Sequence, residues 1–202
     1  MPKSWEFIGG ALCLDFINTV HCYGASDPGD DLTTADDLLS WAMAAKVLTP
    51  QGVSGMKRRF HSHPAAGRDA LGRMKQIRTQ LREIFTSSAR RPRQEHVRDL
   101  NSLLRQQTAV PGIVDEDGNL QLQWHPHSLP TQGIILPILL SAAQIITGGD
   151  FARVRECASP TCTFLFLDTS KNHSRRWCDM RMCGNRAKVN QFRERQRRSR
   201  SG

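Results

Sequence analysis

Cys157-Ala-Ser-Pro-Thr-Cys162 and, across fifteen intervening residues, Cys178-Asp-Met-Arg-Met-Cys183 form the stretch that organises this chain. Four of its six cysteines are gathered there as two C-x4-C pairs. The N-terminus, Met1-Pro-Lys-Ser-Trp-Glu-Phe7, lacks a basic segment followed by a long apolar run, so no secretory signal and a cytoplasmic location are expected. Thiols stay reduced in that compartment, and clustered cysteines then point to a metal rather than to disulfides. Structural zinc sites draw four thiolates into a tetrahedron from two close pairs on separate chain segments. The apolar run Phe164-Leu-Phe-Leu-Asp168 between the pairs reads as a strand that turns the chain back. Cys157, Cys162, Cys178 and Cys183 are therefore the expected ligands of one structural Zn2+. An iron–sulfur cluster could use the same four sulfurs, although nothing in the sequence indicates redox chemistry. A zinc site supplies on the order of 10 kcal/mol toward folding a module too small for a core of its own.

The same end of the chain carries the charge. Of 202 residues, those from Lys171 to Gly202 hold eleven Lys/Arg against two acids, whereas residues 1–170 hold seventeen of each. The net charge of +9 is thus concentrated beside the cysteines, a field suited to a polyanion, above all nucleic acid. The most apolar stretch, Ile134 to Ile146, contains Pro137 and is too short to span a bilayer, so no membrane partner is expected.

Upstream, the opening Phe7-Ile-Gly-Gly-Ala-Leu-Cys-Leu-Asp-Phe-Ile-Asn-Thr-Val20 fits a helical face and a strand face equally. Residues Ala25 to Asp31 are turn chemistry. Thr34 reads as the N-cap of a helix through Leu38, Leu39, Trp41 and Met43, and Thr49 as the cap of another starting at Pro50. Helical spacing runs from Ala65 to about Ser88, and again after Pro92 through Leu104. Val110 to Trp124 reads as a hairpin with Asp117-Gly118 in the turn and Leu120, Leu122 and Trp124 on one face. Gln132 to Thr147 reads as a buried helix closed by Gly148-Gly149. The expected fold is α+β, mainly α: a helical domain with a small antiparallel sheet over 1–150, then a zinc finger of β-hairpin and basic helix over 151–202.

Around the second cysteine pair, Arg175-Arg-Trp-Cys-Asp-Met-Arg-Met-Cys-Gly-Asn-Arg-Ala-Lys188 resembles the CGNR zinc-finger family, named for the tetrapeptide Cys183-Gly184-Asn185-Arg186. Cys157 to Cys162 and Phe166-Leu-Asp-Thr-Ser-Lys-Asn172 look like its first half, with Thr163 where the family pattern has glycine. Gly9-Gly-Ala-Leu-Cys-Leu-Asp-Phe-Ile-Asn-Thr19 is similar to the start of the ABATE domain that usually precedes that finger. The resemblance implies a bacterial stress-related transcription regulator.

Read physically, Cys183 would open the terminal helix, whose free N–H groups would then face the thiolates. Gly184 would let the backbone approach the metal, and Asn185 would bond a sulfur or cap a loop. Val189 and Phe192 would face the finger's core with Asn185. Arg186, Asn190, Arg193 and Arg197 then line one stripe of a helix reaching about Arg197, suited to a major groove. Arg175, Arg176 and Arg181 would meet phosphates, and Arg186 and Lys188 would also offset the −2 charge of a Zn-thiolate centre. DNA is the expected partner ahead of RNA. The competing reading is a protein-interaction module whose arginines pair with acidic patches.

No enzymatic role is expected. Cys13 and Cys22 read as buried thiols, although Cys13, Asp15 and His21 could be drawn as a nucleophile–base set. Asp15 and Asn18 could bind a small ligand or cap a helix, with capping the better fit. The pairs His61/His63 and His125/His127 are H-x-H spacings without an acidic partner. A small-molecule effector on the first domain and a homodimer reading paired half-sites both fit a regulator, but no heptad is visible.

Overall fold

The structure, a computed structural model, describes residues 3–22, 25, 28–86, 91–116, 118–126 and 131–200. At its centre lies α1 (Leu12–Ile17), six residues of which Cys13, Leu14, Asp15, Phe16 and Ile17 are all buried. A helix enclosed on every side has no polar face, which is why the helical and strand periodicities fit it equally in the sequence. Around it pack α2 (Ala35–Ala44), α4 (Pro64–Thr86) and α6 (Gln132–Thr147), while α3 (Pro50–Ser62) and α5 (Gln94–Arg105) lie outside against α2, α4 and α6. Trp41, Phe16, Leu38, Met74, Leu81 and Ile138 fill the shared core.

The expected caps form. Thr34 closes a capping box with Asp37: Asp37 N–H donates to Thr34 Oγ1 at 3.1 Å and Thr34 N–H to Asp37 Oδ2 at 2.8 Å. Thr49 Oγ1 accepts from Gly52 N–H at 3.1 Å, with Pro50 opening α3. Ser87 and Ser88, the expected end of α4, lie outside the described residues.

A strand pair absent from the sequence reading joins β1 (Val20–His21) to β2 (Gly29–Asp30). It places Asp30 beside α4, where Arg78 Nη1 and Nη2 donate to its two oxygens at 2.9 and 2.7 Å and Lys75 approaches to 2.9 Å. Burial works to raise the Asp30 carboxyl, but Arg78 and Lys75 outweigh it and hold it at about 2.

The hairpin of β3 (Ala109–Glu116) and β4 (Asn119–Pro126) has Ile113 opposite Leu122 and Pro111 opposite Trp124. Asp117, expected in the turn, and His127 lie outside the described residues. The face carrying Ile113, Leu120 and Leu122 points to solvent, not to the core.

After a 3-10 turn at Phe151–Arg153, β5 (Val154–Glu156) pairs antiparallel with β6 (Leu165–Leu167). The expected boundary at residue 150 separates chain segments but not cores: Phe151 and Leu165 are buried in the same cluster as α1, α4 and α6. Main-chain and side-chain bonds cross it too. Leu167 N–H donates to Gly9 O at 2.8 Å, and Arg82 of α4 donates to Thr163 O at 2.9 Å. A single π-helical turn, Met180–Gly184, then leads into α7 (Asn185–Arg200).

Candidate metal centre

Cys157 follows β5, and its N–H closes on Phe164 O at 2.9 Å, so the hairpin fixes where the first pair sits. Cys162 N–H donates to Ser159 O at 3.0 Å, closing the first knuckle. The second knuckle is tied to the first by Ala158 N–H to Arg176 O at 2.8 Å and by Cys178 N–H to Cys157 Sγ at 3.5 Å. Asp179 then caps the π-helical turn, accepting from Arg181 N–H at 2.6 Å and Met182 N–H at 3.1 Å. An aspartate directly after Cys178 is an N-cap signal, and it is the one local clue in the sequence to this turn.

These constraints bring the four sulfurs within 4.8 Å of one another. Cys162 and Cys178 stand 3.7 Å apart and Cys178 and Cys183 3.6 Å apart. A tetrahedron of sulfurs about 2.3 Å from zinc has edges of about 3.8 Å, whereas a disulfide needs about 2.05 Å. The donor set fits one four-coordinate Zn2+. Among the described residues no other three or more His, Cys, Asp and Glu side chains gather this closely.

Without a cation, four thiolates cannot share this volume. The hydrogen bond from Cys178 brings the Cys162 thiol down to about 5. Cys178, bonded to and repelled by that thiolate, is driven far above the ordinary thiol range, and burial pushes Cys183 up to about 11. A divalent ion reverses that penalty by holding all four as thiolates.

Asp168 is completely buried at the end of β6 and shapes the loop toward the second knuckle. It accepts from Ser170 N–H at 3.0 Å, Ser170 Oγ at 2.5 Å and Arg175 N–H at 3.0 Å. Burial would raise its carboxyl, but the Ser170 and Arg175 donors and the nearby His173 hold it below the ordinary value.

Several expected roles change. Cys183 lies in the π-helical turn rather than opening α7, and Gly184 N–H is bonded to Asp179 O at 3.1 Å, so it does not face a sulfur. A Cβ on Gly184 would lie 2.7 Å from Met180 Sδ and 3.3 Å from Trp177 Cδ1, so its bareness serves side-chain packing. Asn185 Nδ2 donates to Arg181 O at 3.2 Å, capping the loop. Val189 and Phe192 do not enter the finger's core: they are 47% and 61% exposed. That small core is instead Phe164, Phe166, Cys157, Cys178 and Cys183, covered by Ile8 and Trp177. Thr163, in the family's glycine position, is not among the positive-φ residues, so no glycine is required there.

The basic residues divide. Arg175 is half-buried, with its guanidinium 4.4 Å over the Phe166 ring, and donates to Trp177 O at 2.9 Å and to Cys178 O. It is bound into the finger rather than offered to phosphate. Arg186 is exposed and reaches Thr161 Oγ1 at 3.2 Å, bridging the knuckles. Arg176, Arg181, Lys188, Asn190 and Arg193 are exposed. Arg197 lies on α7, but its side chain is outside the described residues. Among the described residues no lysine or arginine beyond residue 170 makes a salt bridge.

The opening motif turns out to serve the finger. Asn18 Nδ2 donates to Leu165 O, and Leu165 N–H donates to Asn18 Oδ1, both at 2.8 Å, so the amide pairs with β6 as a strand would. Asp15 Oδ1 accepts from Gly9 N–H at 2.7 Å, and a Cβ on Gly9 would lie 2.8 Å from Leu14 Cβ. Asn18, expected as a cap or ligand-binding group, is thus a cross-chain clamp. Cys13 is fully buried, which pushes its thiol up to about 12; His21 Nε2 pairs with Asp31 at 2.6 Å and its ring packs on Phe164. His61 Nδ1 bonds Lys57 O at 2.8 Å, and the His125 side chain lies outside the described residues.

Two family models match in the order the residues imply. The CGNR zinc finger matches residues 153–196, and ABATE, described as "Putative stress-induced transcription regulator", matches residues 10–149. No curated protein matches the chain. Cys157, Cys162, Cys178 and Cys183 form a zinc-binding site inside the finger.

Proposed function

Because the chain belongs to the ABATE family and ends in a CGNR zinc finger, we propose that it is a regulator whose finger holds DNA. The observation that carries this reading is the set of exposed positive side chains on the second knuckle and α7 that, among the described residues, make no salt bridge. Arg176, Arg181, Lys188 and Arg193 are exposed on the second knuckle and α7, and α7 packs chiefly on the π-helical turn before it. Phosphate contact by such side chains gives affinity, and Asn190 and Arg193 on the outer stripe could meet base edges. Zinc fixes the direction in which the helix leaves the finger. Four sulfurs leave the metal no vacant position for a substrate, which supports a structural role for the ion.

The test is a fluorescence titration of zinc-loaded protein against duplex DNA at several salt concentrations, with RNA as competitor. Each neutralised phosphate contributes about −0.9 to the slope of log affinity against log salt. Salt-independent or undetectable binding would sink the reading. The exposed Val189 and Phe192 favour a second reading, in which α7 docks an acidic protein partner through an apolar ridge flanked by arginines. Phe192→Ala separates the two: it leaves the salt slope intact under the first and removes partner binding under the second.

A further inference from the structure

The β3–β4 hairpin presents its apolar side chains outward. Ile113, Leu120 and Leu122 are 75%, 69% and 64% exposed. Together they show roughly 400 Å² of apolar surface, already the size of the largest patch on a typical monomer. The pairing register sets Ile113 directly opposite Leu122 on this face, with Trp124 beside it. The patch continues into a groove of about 550 Å³ between the hairpin and α6, walled by Leu122, Trp124, Pro137 and Leu140.

We propose that this face and its groove are the surface through which two copies of the chain form a two-fold dimer. Charge selects the occupant. The strands carry no lysine or arginine, and their acids lie only beside the turn, at Asp115 and Glu116. A polyanion has nothing to bind there, and a cationic peptide would find acids only at the turn end and would lose its solvation over Ile113 and Leu122. A second copy brings the same apolar centre around Ile113 and Leu122, with Asp115 opposite Leu120 at its turn end and Asp150 in the groove wall, whereas the exposed Val189 and Phe192 are embedded among arginines. Residues 1–170 have balanced charge, so two copies meet there without the repulsion that joining the +9 ends would bring. Area agrees. A stable dimer needs about 800 Å² per partner; the three hairpin side chains supply roughly half, and the groove walls lie next to them. An isologous contact needs only one self-complementary patch. The proposal does not depend on nucleic-acid binding, and its failure would leave the reading of the finger as a DNA-holding element standing.

Sedimentation equilibrium of the full-length zinc-loaded chain tests it. The expected result is a dimer whose dissociation constant rises at least about a hundredfold in Ile113→Glu/Leu122→Glu, with zinc content and helical circular dichroism unchanged. Met43→Glu, at an exposed apolar side chain on α2, stays dimeric. If the double variant does not fold, Leu120→Gln and concentration-dependent amide exchange along 109–126 give the answer instead. A wild type that stays monomeric through the micromolar range, or a dimer indifferent to both hairpin substitutions, overturns the assignment.

Discussion

The side-chain amide of Asn18 takes the place of a neighbouring strand. With its carbonyl and its NH2 both engaged by Leu165, it satisfies a main-chain pair on β6 that is buried and has no strand on that side. Asn18→Ala strands both groups, at about 1–3 kcal/mol each. The expected outcome is faster amide exchange at residues 165–167 and faster loss of zinc to a chelator, with the helical content kept. Unchanged exchange would show that water replaces the amide. Asp15 is a different case. Burial raises its carboxyl to about 6, against which the Gly9 N–H bond works only partly. The folded state therefore binds this proton more tightly than the unfolded state. Its stabilising contribution is complete below about pH 4 and is lost as pH rises through about 6, amounting to no more than about 3 kcal/mol. Asp15→Asn keeps an acceptor for Gly9, so denaturation between pH 4 and 7 should lose that falling slope. A slope that persists would place the titration elsewhere.

At the scale of elements, the finger's arginines separate into those that build it and those that leave it. Arg175 lies on the Phe166 ring and holds two carbonyls of the second knuckle. Arg193 stands in solvent on α7. Arg175→Ala should destabilise the finger by about 1–2 kcal/mol and speed zinc release, through the lost stacking and the freed carbonyls. Arg193→Ala should leave thermal stability within about 0.5 kcal/mol. It should also lower the steepness of the salt dependence of DNA binding by about one phosphate. The reverse pattern in melting and titration would exchange the two roles. Nothing in the spacing of Arg175 distinguished it from its neighbours, because its partner Phe166 is nine residues away and meets it only after the chain turns at Asp168.

For the whole molecule, the finger is not a tethered appendage. Phe151 and Leu165 sit in the core built by α1, α4 and α6, and Arg82 and Asn18 bind its backbone from the other side. Losing the metal should therefore be felt beyond the finger. Chelation is expected to lower the melting temperature of the whole chain in one cooperative transition, read by calorimetry with and without zinc. A first transition that stays at its holo temperature would show that residues 1–150 stand alone. Among the described residues no helix is long and apolar enough to cross a membrane.

Local physics reached far in this chain. Two C-x4-C pairs, the Thr34 and Thr49 caps, the turn-bounded hairpin and the apolar run of α6 are each decided by neighbours a few residues apart, so the ligand set and most helices followed from the chain alone. Orientation was another matter. Which way Ile113 and Leu122 face, why Val189 and Phe192 stay in water, and that Asn18 clasps Leu165 across 147 residues depend on which surfaces meet after folding. Sequence periodicity reports that a face is apolar but not what covers it, and a buried hydrogen bond between distant segments leaves no periodic trace.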